Sequence, residues 1–436
     1  MNNKSRVLMM AVVVGLIVVI ASLFIITGCT NGGGSGGGEG NPTYTVTYDG
    51  NGNTGGSVPV DSNSFQEGQT VTVLGNTGNL TKTSYTFGGW NTAADGSGTD
   101  YAGGTTFSMG AADITLYAKW GGPGYKETYT ADGVSFKMSF VPGGYTFPTG
   151  TDDSGSATVT DAYWIGETEV TYELWYQVYT WATSNGYNFA NTGIPGNDGT
   201  AGNETASQEP VTTINWRDAM VFCNALTEYY NAQNGTTMEC VYYSDDTYTT
   251  PIRTVDDNAS VDTTPGHEDN PYVKPDADGF RFLTSDEWEL AARWRDDSTN
   301  TVSGYTDPYF TKGNSASGAT TSYNDTADTN PDNGVVDGKD ANDLVAVYGS
   351  YWDGSGWVAT GVSSTAIVKS KAADTLGLYD MSGNVYEWCF VELSGSYRAV
   401  RGGAWTLNGG LQVGYVRSFY LWDEINYVGL RFARTP

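Results

Sequence analysis

Between residues 126 and 436 only three stretches repeat apolar residues at helical spacing, and the sequence around them alternates or turns. Helical spacing puts residues three and four apart on one face. Thr171 can cap the first stretch, which carries Leu174, Trp175, Val178 and Trp181. Asn215 can cap the second, with Ala219, Phe222, Cys223 and Leu226 on one face. The third opens on Thr284-x-x-Glu287, a capping box, with Leu283 and Trp288 placed as a hydrophobic staple. Trp288, Ala291, Ala292 and Arg295 continue its stripe. Short helices set among short strands and polar loops predict an α+β domain. The 58 glycines and 30 tyrosines suit many strands and turns.

Residues 1–29 read as an export signal. Lys4 and Arg6 precede an apolar run from Val7 to Ile26, which ends in Ile26-Thr27-Gly28-Cys29. That ending resembles the lipobox of bacterial lipoproteins, whose cysteine becomes the lipidated N-terminus, so the resemblance implies lipidation at Cys29. A retained transmembrane anchor is the alternative, since about 20 apolar residues span a bilayer. Residues 30–42 form a Gly-rich tether with no core-forming run. Both alternatives place the body outside the cytoplasmic membrane, in the cell envelope or at the cell surface.

Residues 43–120 alternate with period two. Tyr44, Val46 and Tyr48 share a face, and Asp49-Gly50-Asn51-Gly52 marks a turn. With Gly88-Gly89-Trp90-Asn91-Thr92 and Leu116-Tyr117-Ala118-Lys119-Trp120, the span resembles the Listeria–Bacteroides repeat of internalin B type. The resemblance implies a small β-grasp-like spacer. Gly121-Gly122-Pro123-Gly124 reads as a linker.

Charge and rare residues exclude several functions. A net charge of −28 repels phosphate backbones, so nucleic acid is not an expected partner. One histidine, His267, excludes any site built from two or three of them and reads as a solvated loop residue. Cys223, Cys240 and Cys389 read as small buried hydrophobes, with at most one pair possible.

Residues 126–436 carry a series of blocks in order. They include Val141-Pro142-Gly143-Gly144, Ile165-Gly166-Glu167-Thr168-Glu169-Val170-Thr171, Asn215-Trp216-Arg217-Asp218-Ala219 and Phe280-Arg281-Phe282-Leu283-Thr284. Leu378-Tyr379-Asp380-Met381-Ser382-Gly383-Asn384-Val385-Tyr386-Glu387-Trp388, Val400-Arg401-Gly402-Gly403-Ala404-Trp405 and Gly429-Leu430-Arg431-Phe432 complete them. This domain resembles the formylglycine-generating enzyme (sulfatase-modifying factor) family, which implies a variant of the C-type lectin fold.

The family's enzyme holds copper on two cysteine thiolates between the last two blocks. With Arg417 aligned to the arginine three residues after the second cysteine, Gly414 stands at that cysteine and Gly409 at the first. No cysteine lies between Ala404 and Pro436, and soft Cu(I) needs thiolate. No copper and no catalytic residue is therefore expected. An oxidase of the formylglycine-generating type is the alternative function. The resemblance also implies a structural Ca²⁺ site from Asp380 and Glu387 side chains with Gly383 and Val385 carbonyls, a mixed oxygen set that suits this hard ion. A second acidic loop, Asp328 to Asp340, reads as a solvated turn-rich insertion, although its spacing is similar to a dockerin calcium loop.

Residues 406–428 fit neither helix nor strand phase and are dense in aromatics, the side chains that dominate binding hot spots. The expected ligand contacts are Thr406, Leu407, Asn408, Tyr415, Ser418, Phe419, Tyr420, Leu421, Trp422, Asn426 and Tyr427, with Trp405, Val413 and Ile425 in the core. The arrangement is similar to the variable proteins of diversity-generating retroelements, exported proteins of this fold that display a diversified C-terminal segment. It implies an extracellular protein or glycan ligand. A purely structural envelope protein remains open if these aromatics are buried.

Overall fold

The computed structural model describes residues 41–321, 338–352, 357–406 and 410–436. The export signal, nearly all of the tether and residues 328–337 of the acidic loop lie outside the described residues.

The small module has its own core of Val46, Tyr48, Val71, Val73, Leu80, Trp90, Leu116 and Ala118. Alternation is obeyed: Val46 and Tyr48 are buried while Thr47 and Asp49 are exposed. Strand Val46–Asp49 pairs in parallel with Ile114–Gly121, which also pairs antiparallel with Thr86–Asn91. The turn after Asp49 therefore does not close a hairpin. Asn51 adopts a left-handed φ of 46° and its amide donates to the Ala94 and Ala118 carbonyls, tying its turn to the Ala94 loop and to the Ile114–Gly121 strand.

The Gly121–Gly124 segment is no slack linker. Gly124 N–H donates to Phe140 O at 2.9 Å, Phe140 N–H donates to Tyr125 O at 2.8 Å, and Ser84 Oγ meets Tyr145 Oη at 3.2 Å. Tyr125 lies so close that a Cβ on Gly121 would sit 2.2 Å from its ring. The module is docked on the larger domain.

All three expected helices form. Helix α1, Tyr172–Ser184, starts where Thr171 accepts from Leu174 N–H. Helix α2, Trp216–Asn234, has a full capping box from Asn215 and Asp218 and ends at Gly235 in the left-handed region. Helix α3, Ser285–Arg293, has the capping box of Thr284 and Glu287. It stops short of Arg295: Trp294–Arg295 instead pairs as strand with Tyr309–Phe310. A fourth helix, α4, spans Gly338–Val345. The last residues of the acidic loop, expected as turn, thus open a helix that buries Ala341 and Val345.

Two sheets organise the large domain. The first is antiparallel, with strands ordered Phe280–Phe282, Phe432–Arg434, Tyr163–Gly166, Val134–Val141 and Lys126–Ala131. It joins both ends of the domain. The second is ordered Arg417–Tyr420, Tyr397–Arg401, Tyr386–Ser394 and Val428–Gly429, the last pairing in parallel. One core gathers α1, α2 and the first sheet, with Trp175 stacked on Phe222 at 4.7 Å. A second gathers α3, Phe147, Cys389 and Val413, and a third sets Ala341 and Val345 of α4 against Ala316 and Leu411.

Candidate functional site

The C-terminal segment is held by buried anchors between exposed stretches. Arg401 is the main one. Its guanidinium donates to Glu289 Oε2 at 2.7 Å, to Ser285 Oγ, and to the Tyr415 carbonyl at 3.1 Å. Val413 N–H donates to Ser315 O and Gly414 N–H to Gly313 O. Leu411, Val413 and Leu421 are fully buried, so the chain is pinned there and rises to the surface between them.

Exposure divides the expected contacts. Tyr415 is 37% and Tyr420 38% exposed. Thr406, Ser418, Phe419, Trp422 and Tyr427 are half-buried. Asn426 is exposed, though its amide donates to Asn197 O at 2.9 Å. Leu407 and Asn408, like Gly409, lie outside the described residues. Leu421 is a correction. It has no exposed surface, packs in the core with Trp216 and Trp388, and cannot touch a ligand. Among the expected core residues Val413 is buried, but Ile425 and Trp405 are only half-buried. The Trp405 indole N–H is enclosed without a hydrogen-bond partner.

Two aromatic groups emerge. Tyr397, Tyr420 and Trp422 form a ladder, with centroids 4.3 and 4.8 Å apart and the last two rings within 6° of parallel. Tyr386, Phe419 and Tyr427 form a second group, with centroids 6.1 to 6.4 Å apart. Tyr397 and Tyr386 lie outside residues 406–428 and were not expected. Cross-strand pairing of Tyr397 with Tyr420 brings the first in, and no local pattern encodes that register.

Of the two positions that correspond to the family's cysteines, Gly414 is described. A Cβ on Gly414 would lie 2.3 Å from the Gly150 carbonyl carbon and oxygen, so backbone packs directly on backbone there. Cys223, Cys240 and Cys389 are unpaired and buried, and burial pushes each thiol well above its usual range. His267 is not simply solvated. It is half-buried, with Glu268 Oε2 at 3.4 Å, Asp269 Oδ2 at 3.7 Å and Asp262 Oδ2 at 3.9 Å. Asp269 in turn is held by the buried Arg217 at 2.6 Å. A cleft of about 640 Å³ beside Tyr176, Trp181 and Tyr229 shares no residue with the C-terminal segment.

The comparisons with known proteins fall on this framework. The family described as "Sulfatase-modifying factor enzyme 1-like domain" matches residues 127–436. The chain belongs to that family. The sulfatase-modifying-factor domain has the formylglycine-generating-enzyme type of C-type lectin fold, and the "Listeria-Bacteroides repeat domain" matches residues 44–119 before it. Over 279 residues the chain is 26% identical to "Chaperone protein LppX" of Paenibacillus barcinonensis, covering 62% of this chain and 79% of that one. Over 92 residues it is 39% identical to a "Putative Gly-rich membrane protein" of Evansella cellulosilytica, covering 21% of this chain. The chain spans only 10% and 11% of the lengths of the first two curated relatives. Among solved structures, "Treponema denticola variable protein 1" aligns with TM-score 0.47 and 26% identity, over 71% of this chain and 99% of its own.

The sulfatase-modifying-factor domain keeps part of the oxygen set expected for Ca²⁺. Asp380 is 2% exposed, and its Oδ1 has no hydrogen-bond partner, so one carboxylate oxygen is free for a cation. Burial pushes this carboxyl up to about 6. Glu387 is differently placed. Its oxygens accept from Arg431 at 2.7 to 3.0 Å and from Trp288 Nε1 at 2.6 Å, so its charge is already matched. Asp380 has one oxygen open, whereas Glu387 could offer only a remaining lone pair.

Proposed function

We propose that this protein is an exported, lipid-anchored binding protein whose sulfatase-modifying-factor domain is non-catalytic. Cys29 would carry the lipid, the repeat module would act as a fixed spacer, and the surface around residues 406–428 would contact a ligand outside the cell. The close approach of Gly414 to Gly150 carries the non-catalytic reading, because no thiolate can be built there without moving backbone. The exposed Tyr415 and Tyr420 on a pinned loop support binding, since rigid aromatics gain contact area at low entropic cost. The names of the relatives, a membrane protein and a chaperone called LppX, support an envelope location. Among the described residues no helix is long and apolar enough to cross a membrane.

A structural Ca²⁺ at Asp380, with the Gly383 and Val385 carbonyls and a lone pair of Glu387, belongs to the same proposal. The free Asp380 oxygen supports it. The ion would hold the loop ahead of the Tyr386–Ser394 strand.

Copper titration with a peptide-cysteine oxidation assay tests the main reading. No stoichiometric Cu(I) binding and no turnover are expected. Tight one-to-one Cu(I) binding with turnover would overturn it in favour of the oxidase.

A further inference from the structure

Arg417 differs from most arginines of this chain. Arg217, Arg281, Arg293, Arg401 and Arg431 each hold a carboxylate. Among the described residues no carboxylate pairs with Arg417, and the groups acting on its charge are the tyrosines Tyr386, Tyr415 and Tyr427. This is unexpected in a chain with 49 acidic residues against 21 basic ones.

The residue opens the Arg417–Tyr420 strand and is exposed. Its guanidinium carbon lies 4.8 Å from the Phe419 ring centroid and 5.7 Å from that of Tyr386. Such contacts orient the planar head, and of its five N–H donors only the side facing the Tyr386 hydroxyl is drawn on. Tyr386 is only 1% exposed, and its hydroxyl is turned toward the Arg417 guanidinium, the cation that acts on it. Gly410 and the Tyr415 ring close over this hydroxyl, since a Cβ at position 410 would come 2.5 Å from the ring and 3.1 Å from the hydroxyl.

We propose that Arg417, with the hydroxyls of Tyr415 and Tyr427 and with the buried Tyr386 ring beneath it, is the seat for a carboxylate presented by a protein partner. This rests on reading residues 406–428 as the ligand surface. The open side of the guanidinium fork matches the two oxygens of a carboxylate, and the tyrosine hydroxyls add donors. A protein is favoured over an acidic glycan for two reasons. Arginine with tyrosine and tryptophan is the composition of protein-binding hot spots. The neighbouring ladder of Tyr397, Tyr420 and Trp422 also stacks ring on ring, so most of its faces are spent on each other and not offered to a sugar.

The test uses full-length protein in detergent micelles, labelled with ¹⁵N-arginine and ¹⁵N-tyrosine. It is titrated separately with N-acetylglutamate, N-acetylglutamine and glucuronate. N-acetylglutamate is expected to shift the Arg417 side-chain resonance saturably, with affinity about tenfold above the amide. Arg417→Gln should lose this preference, and Tyr427→Phe, which keeps the ring, should weaken it. Unchanged thermal midpoints would show both variants folded. Equal response to acid and amide, still centred on Tyr415 and Tyr420, would overturn the carboxylate seat and leave the surface reading standing. No shift anywhere in residues 410–428 would sink both. Glucuronate binding about tenfold tighter than N-acetylglutamate would replace the protein partner with an acidic glycan.

Discussion

Arg431 and Glu387 form a fully buried ion pair with contacts of 2.7, 2.9 and 3.0 Å, which ties the last strand of the chain to the strand beginning at Tyr386. The guanidinium also donates to the Gly166 and Tyr379 carbonyls, and Trp288 donates to the carboxylate from α3. A buried pair is tolerable only when its remaining donors and acceptors are used, as they are here.

Removing one partner should therefore be costly. Arg431→Met leaves an uncompensated buried carboxylate, and urea unfolding should show a loss of about 3–5 kcal/mol. Adding Glu387→Gln to that variant should recover part of the loss. A double variant no more stable than the single one would contradict the account.

Asp218 sets a pH dependence. It caps α2 and accepts from the Ala190, Asn191 and Asn215 backbone N–H groups, yet burial pushes its carboxyl up to about 6. The folded state then binds more protons than the unfolded one between pH 4 and 6, so stability falls as pH rises through that window and is flat above it. The total drop is about 3 kcal/mol at most. Asp218→Asn should remove its share of this slope and leave that of Asp374 and Asp380, which burial also pushes up to about 6. Unfolding curves at pH 4, 5, 6 and 7 for both proteins would show it, and parallel curves would refute it.

The cysteines report on packing and on the anchor together. Native protein at pH 8 should resist a thiol reagent, because Cys223, Cys240 and Cys389 are buried with raised thiol pKa values. In denaturant three thiols should react if Cys29 carries lipid through its sulfur, and a fourth would argue against lipidation. Rapid labelling of native protein would contradict the burial.

Gly414→Ala forces a methyl into the Gly150 backbone, 2.3 Å away. Overpacking of this kind costs about 1–3 kcal/mol. A lowered thermal midpoint is expected, and an unchanged one would mean that the loop can move enough to admit a side chain.

Calcium should raise the thermal midpoint and chelator lower it. Asp380→Asn should abolish the difference, because it replaces the free carboxylate oxygen's charge. A midpoint indifferent to calcium would remove the ion from the proposal.

Local chemistry made much of the fold legible. The Thr284–Glu287 capping box, the Asn215 cap and the alternation of Val46 and Tyr48 are written within a few residues, and each appears where expected. Arg295 and α4 were misjudged at element ends, where pairing with Tyr309–Phe310 or burial of Ala341 outweighs local preference. The candidate site was less legible. Leu421 and Trp422 are neighbours of similar apolar character, yet one is buried and the other half-exposed.

By itself the sequence determined the family, the α+β class, the order of modules and the missing cysteines, because these depend on residue identity and short-range spacing. Tertiary structure decided the rest. Register placed Tyr397 beside Tyr420, a backbone contact closed position 414, and strand geometry set Arg417 among Tyr386, Tyr415 and Tyr427. Each depends on groups far apart in the chain meeting within a few ångströms, and a linear pattern of residue types does not encode such distances.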